Sequence, residues 1–280
     1  MESPPRRRLV PLILPAIVAA TVAAPALLLL WPSASPNEDV AIEAERTRRW
    51  LVAATGRPLP STPPVDEFSS RLAAHGLQLG TPLFVRIFKR EFELELWMLR
   101  DGRFHRFATY PICRWSGRLG PKLHEGDRQA PEGFYSVGRS ALNPASRWHK
   151  SFDLGFPNAF DASHGRSGTF LMVHGGCSSV GCYAMTNPVI DELWRVIAAA
   201  FRGGQIRFHV HVFPFRMTSE ALARRAHHPA VAFWRDLKAG YDAFEETFMP
   251  PKVFVCRGRY VVVRQQAVDN EPVRVRCQTS

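Results

Sequence analysis

Acid is scarce in this sequence. Its 280 residues carry 25 Asp and Glu against 36 Lys and Arg, a formal charge of +11. That imbalance draws a protein toward polyanions: nucleic acid, an anionic membrane or an acidic envelope. No nucleic-acid-binding motif accompanies the charge, so the envelope is the expected partner and nucleic acid is not. Cysteines number five, and no second pair stands at finger-like spacing, which argues against a structural zinc site. Internal repeats and low-complexity tracts are missing too, which leaves a globular chain, 46% apolar and long enough to bury a sizeable core. Charge vanishes altogether between Leu9 and Trp31, directly after Arg6, Arg7 and Arg8. The run is long enough to span a bilayer, and cationic residues kept inside leave the downstream chain outside the cytoplasm. Residues 1–31 are therefore expected to be a retained signal anchor in the inner membrane, with a cleaved signal peptide as the alternative.

Beyond a short linker, residues 39–54 and 66–75 read as helices separated by the proline-rich segment 58–64, the second closed by Gly76. From Pro82 the period becomes that of strands. LFVRIFK, FELELWML and RFHRFATYPIC alternate apolar and polar residues, and Asp101-Gly102 between the last two signals a hairpin. A Gly/Pro-punctuated loop comes next, SGRLGPKLHEGDRQAPEGFYSV, whose charges are mostly those of a solvated surface. Farther on, IRFHVHVFPF predicts another strand and residues 219–241 a helix capped by Thr218 or Ser219. Cys256 and Cys277 flank two strand-like runs joined by Asp269-Asn270, so a bridge closing a C-terminal hairpin is expected. Cys113 and Cys177 then form the remaining pair or stay reduced, and the odd thiol is the candidate nucleophile.

That thiol lies in the stretch VHGGCSSVGCYAMTN, residues 173–187, behind the strand-like run FLMV. A neighbouring imidazole or aligned N–H groups can make a thiol a nucleophile. Cys182 suits that role, between Gly181, which allows close backbone approach, and a segment with helical apolar spacing. N–H groups near it would stabilise a thiolate and the oxyanion of a tetrahedral intermediate. His174, at the end of the strand, is the candidate base. Two bland readings stand beside this one: a buried structural cysteine, and metal ligation by His174, Cys177 and Cys182.

The motif HGGCSSVGCYAMT, preceded by LGPKLHEGDRQAPEGFYSV and followed by HVFPFRMT, resembles the YafK-type branch of the L,D-transpeptidase (YkuD-domain) family of bacterial cell-wall enzymes. The likeness runs from Pro82 to Thr218 and on toward Tyr260. It implies a mainly β catalytic domain, a YkuD-like β-sandwich with flanking helices, over residues 81–217. Residues 32–80 become a helical pre-segment and 218–280 a helix and β-hairpin extension. The resemblance further implies a Cys182 nucleophile, a His174 base, and a nucleophile loop shaped by Ser179, Gly181 and Tyr183. No cofactor or metal is implied. Lys122 and Arg128, in the loop near the cleft, are candidates for holding substrate carboxylates. Val180 stands where the wider family has a second histidine, and Ala184 where an arginine often comes after the cysteine. Arg216 either replaces that arginine or pairs with a surface acid. The function implied is then an expectation: a periplasmic enzyme acting on diaminopimelate-containing peptidoglycan stem peptides, as transpeptidase or as hydrolase, with a wall-linked protein as a further partner. A non-catalytic wall-binding module and a metal-dependent hydrolase are the alternatives.

Overall fold

The computed structural model describes residues 36–266 and 271–277, which lie in one compact unit; the expected signal segment, residues 1–31, falls outside them. Two helices come first, α1 (Pro36–Ala54) and α2 (Phe68–Ala74), the latter ending at Gly76 with φ 61°. Strand alternation then takes over in the meander β1 (Leu83–Phe88), β2 (Glu93–Arg100) and β3 (Arg103–Pro111). Asp101 and Gly102 both have positive φ, the turn whose twist matches paired strands. β4 (Arg114–Trp115) and β5 (Gly133–Gly138) bracket the long loop, and β6 (Leu142–Ser146) and β7 (His149–Asp153) form a hairpin. After the short α3 (Ala159–Ser163), capped reciprocally by Asn158 and Asp161, come β8 (Met172–His174), β9 (Tyr183–Ala184), α4 (Asn187–Arg202) and β10 (Arg207–Phe213). The chain closes with α5 (Ser219–Ala223), α6 (Val231–Thr247), β11 (Pro251–Cys256), β12 (Arg259–Gln266) and β13 (Arg274–Val275).

The strands make three sheets, ordered β3-β2-β1-β10-β5, β4-β9-β8-β7-β6 and β12-β11-β13. Each contains one parallel pair: β1 with β10, β8 with β9, and β11 with β13. The fold is thus mainly β, with mixed sheets and flanking helices. Among the described residues no helix is long and apolar enough to cross a membrane.

Three local expectations change. The helix after Cys182 does not begin there: Tyr183 and Ala184 pair with Val173 and His174 on one side and with Trp115 and Arg114 on the other. Ladder hydrogen bonds outweigh helical spacing until Pro188, near the first turn, admits α4. Residues 219–241 form two helices rather than one, interrupted before Pro229. At the C-terminus β11 pairs antiparallel with β12 through Arg257-Gly258, both at positive φ, and β13 lies on the other side of β11. Asp269 and Asn270 lie outside the described residues.

α4 carries the strongest apolar stripe. Val189, Ile190, Leu193, Val196 and Ile197 are fully buried, and the helix contacts β1 of one sheet and β7 of another. Each such burial contributes roughly 1.5–3 kcal/mol. A second tie is ionic. Lys89 and Glu132, both inaccessible to solvent, meet at 2.9 Å. The ammonium also donates to the carbonyls of Gly120 (3.0 Å) and Ala130 (3.1 Å), while Glu132 accepts from Gly120 N–H and Trp234 Nε1. Every donor of the lysine is used, so the long loop is fastened at both ends to β1 and α6. Lys89→Met is expected to leave Glu132 buried and uncompensated, costing about 3–5 kcal/mol. Thermal denaturation checks this, and an unchanged midpoint would contradict it.

Candidate active site

The site is built on the parallel pair β8–β9. Its register sets Val173 opposite Tyr183 and His174 opposite Ala184, so Cys182, one residue earlier, flanks Met172. Paired residues two apart share a face, which puts His174 and Cys182 on one face and Val173 and Tyr183 on the core side. The thiol takes the Met172 N–H at 3.4 Å and donates toward the Phe170 carbonyl at 3.5 Å. It is 8% exposed. Burial pushes its pKa up, and the charge of Asp153 adds to that, while the Met172 N–H and Lys122 oppose it.

His174 is buried and stacks on Trp148, centroids 5.9 Å apart. Its Nδ1 lies 2.5 Å from the Gly175 carbonyl. A carbonyl only accepts, so Nδ1 carries the proton and Nε2 keeps its lone pair. Burial lowers the imidazole pKa, the Gly175 bond opposing. A neutral imidazole with an available Nε2 on a neighbouring strand is what a general base requires.

Residues 175–182 join the two strands, and close approaches shape their path. A Cβ at Gly175 would meet Asn187 Oδ1 at 2.7 Å and the Trp148 carbonyl at 3.0 Å. Gly181 has φ 105°, a conformation that excludes other side chains. Asn187 Oδ1 accepts the Gly176 N–H at 2.9 Å. Ser179 Oγ donates to the Cys182 carbonyl (2.6 Å) and accepts the Cys182 N–H (3.1 Å). Ser116, after β4, accepts the Gly181 N–H and meets Ser179 Oγ at 3.2 Å. Two loop N–H groups expected to face an oxyanion are therefore already engaged by hydroxyls. Tyr183 turns to the core, its hydroxyl donating to the Pro131 carbonyl at 2.6 Å.

The cysteines divide as two bridges and a thiol: Cys113–Cys177, with Cα atoms 5.2 Å apart, Cys256–Cys277 at 4.8 Å, and Cys182. With Cys177 bridged, the trio His174, Cys177 and Cys182 loses a thiolate ligand. Among the described residues no group of three or more His, Cys, Asp or Glu is disposed to hold a metal ion.

The basic candidates separate. Lys122 is buried, donating to the His124 carbonyl (2.8 Å) and to Asp127 (2.5 Å). Burial works against ionisation of Asp127, but Lys122 and three backbone N–H groups outweigh it and lower its pKa. Lys122 thus folds the loop inward. Arg128, next in the chain after Asp127, is exposed at φ 54°. Arg216 lies against β1 and β2, its fork taken by Glu93 and by Glu95 (2.9 Å) over the Phe88 ring. Of the two roles open to it, this arrangement is the acid pairing. Sequence reasoning passed over Ser116, Trp148 and Asp153, because each reaches the site from a segment distant in the chain.

No family model matches the chain. It is 45% identical over 202 residues to the protein named "Putative L,D-transpeptidase YafK" in Escherichia coli strain K12, covering 72% of this chain and 80% of that one. The O157:H7 protein of the same name matches equally. Among solved structures, a variant of the helical cell shape determining protein Pgp2 from Campylobacter jejuni aligns with a TM-score of 0.40 and 19% identity, over 65% of this chain and 66% of that chain. Bd1075 of Bdellovibrio bacteriovorus gives 0.35 and 16%, over 60% and 62%. On the identity to the two Escherichia coli proteins, the chain belongs to the YafK-type branch of the L,D-transpeptidase family.

Proposed function

We propose that this protein is a peptidoglycan-modifying cysteine enzyme that cleaves a diaminopimelate-linked bond of stem peptides through a Cys182 acyl-enzyme. The observation that carries the reading is the division of the cysteines. Four are consumed in bridges, and the fifth stays a thiol on the strand beside a histidine whose Nδ1–H is already committed. The relatives' name supports the reaction class. In this reading residues 81–217 are a YkuD-type catalytic domain, 32–80 a pre-segment and 218–280 an extension. Residues 1–31 hold the enzyme at the inner membrane, facing the periplasm.

Cys182 Sγ attacks the carbonyl at the L-centre of diaminopimelate, and its proton passes to His174 Nε2. The carbonyl electrons move to oxygen and then return, expelling the amine, which takes the proton from the imidazolium. The thioester left on Cys182 is attacked by water, with His174 again accepting a proton, and the thiol is restored. Ser179 and Ser116 hold the loop in shape through this cycle. An N–H they already occupy serves the oxyanion only by sharing its hydrogen, so the hydroxyls belong to the oxyanion site in this reading. Water is preferred to an amine acceptor because the polar groups that would hold an acceptor are missing: Val180 is 73% exposed and apolar, and Ala184 is fully buried in the ladder.

Incubating the purified protein with cross-linked or protein-bearing wall fragments is expected to release the linked partner, and disaccharide tetrapeptide is expected to yield no dimers. Cys182→Ala should abolish turnover, and His174→Ala should slow it about 10²- to 10⁴-fold. New dimers with persisting linked fragments would overturn the hydrolase preference. The pH dependence is a second check. The base must be unprotonated, and burial has lowered the His174 pKa. The acid limb of kcat/KM should therefore fall below the ordinary imidazole value of about 6.5. A limb at or above that value would remove His174 as the base.

A further inference from the structure

Asp153 ends β7, paired with Met172 of β8, whose N–H reaches Cys182 Sγ. Asp153, Met172 and Cys182 thus form one row across three strands on the face that also carries His174. With strands about 4.8 Å apart, the outer two backbones stand roughly 10 Å from each other. The five buried carboxylates among the described residues, Glu95, Glu132, Asp161, Glu192 and Asp236, each face a lysine or arginine. Asp153, half-buried, has only the Gly155 N–H at 2.7 Å, and among the described residues no cation pairs with it. Ser151 lies on the same face opposite His174, fully buried, with its hydroxyl unpartnered. A carboxylate and a hydroxyl beside the nucleophile are therefore left without complements. Burying polar groups in that state is costly unless a ligand completes them.

We infer that Asp153 is a specificity residue that receives a cationic group of the substrate, the second ammonium of the diamino acid whose carbonyl Cys182 attacks. The inference rests on the acyl-enzyme reading for the identity of the diamino acid. Its logic is geometric. A linear methylene arm separates the two centres of diaminopimelate, and with the L-centre carbonyl at Cys182 that arm runs along the row toward β7. An ammonium arriving there pairs with a carboxylate that no described side chain neutralises. It also removes a negative charge that works against thiolate formation at Cys182, so the correct substrate helps activate its own nucleophile. A substrate bearing lysine's bare amine would satisfy Asp153 equally, whereas one with that amine blocked would not.

The test compares two ligands on the full-length Cys182→Ala protein by calorimetry: disaccharide tetrapeptide with the second amino group free, and the same molecule with that group N-acetylated. The free form should bind about 10- to 100-fold tighter, the range of a charge-assisted hydrogen bond. Asp153→Asn should erase the difference without further loss for the acetylated ligand. Equal binding of the two ligands with Asp153 in place would overturn the inference, and this comparison needs no folded Asp153 variant. An undiminished preference in Asp153→Asn would overturn it as well. Binding is read without turnover, so failure of Cys182 as nucleophile, seen as residual activity in Cys182→Ala, registers separately.

Discussion

Two very short parallel strands, β8 and β9, must be joined by residues 175–182 alone. Parallel neighbours ordinarily need a crossover of about a dozen residues or more, and the rest of the site can be understood as the means of closing so short a path. Gly175 passes where any side chain would strike Asn187 and Trp148, and Gly181 takes a backbone conformation closed to them. Cys177 sits at φ 50° and is tied covalently to Cys113 just beyond β3. Asn187, Ser116 and Ser179 then take the N–H groups of Gly176, Gly181 and Cys182. The result is a Cys182 thiol held against Met172 of the neighbouring strand, with His174 two residues along from that contact.

Burial decides the electrostatics. Cys182 and His174 are themselves buried, and burial favours the neutral forms of both: thiol over thiolate and imidazole over imidazolium. Both shifts act against a thiolate–imidazolium pair. On the same face Asp153 has no cation among the described residues, whereas Lys122 is turned inward to Asp127 and Arg128 is exposed.

How far the sequence revealed this depends on whether the signal was local. The β1–β2–β3 meander was legible because alternation and the Asp101-Gly102 turn are properties of adjacent residues. Cys182 and His174 were singled out by the crowding of glycines, serines and a histidine behind an apolar strand, and the β8–β9 register sets them on one face. Helical spacing extends back to Tyr183 and Ala184, but pairing with β8 and β4 holds those two in a strand, and α4 begins at Asn187. The C-terminal sheet was misjudged for a related reason: the tighter turn at Arg257-Gly258 forms the hairpin. Ser116, Trp148 and Asp153 gave no signal at all, since each reaches the site from a segment distant in the chain. Lys122 was read as a candidate for holding substrate carboxylates, yet it is buried, and the loop is anchored by Lys89 and Glu132.

The central claim is that Cys182 carries the acyl group. Rapid quenching of the protein with disaccharide tetrapeptide, with intact mass and peptide mapping of the quenched material, tests it most directly. The mechanism predicts a transient adduct of the acyl mass on the peptide containing Cys182, labile to hydroxylamine as a thioester is, and absent from every other residue. Turnover with no adduct at any time, or an adduct mapped elsewhere, would contradict it.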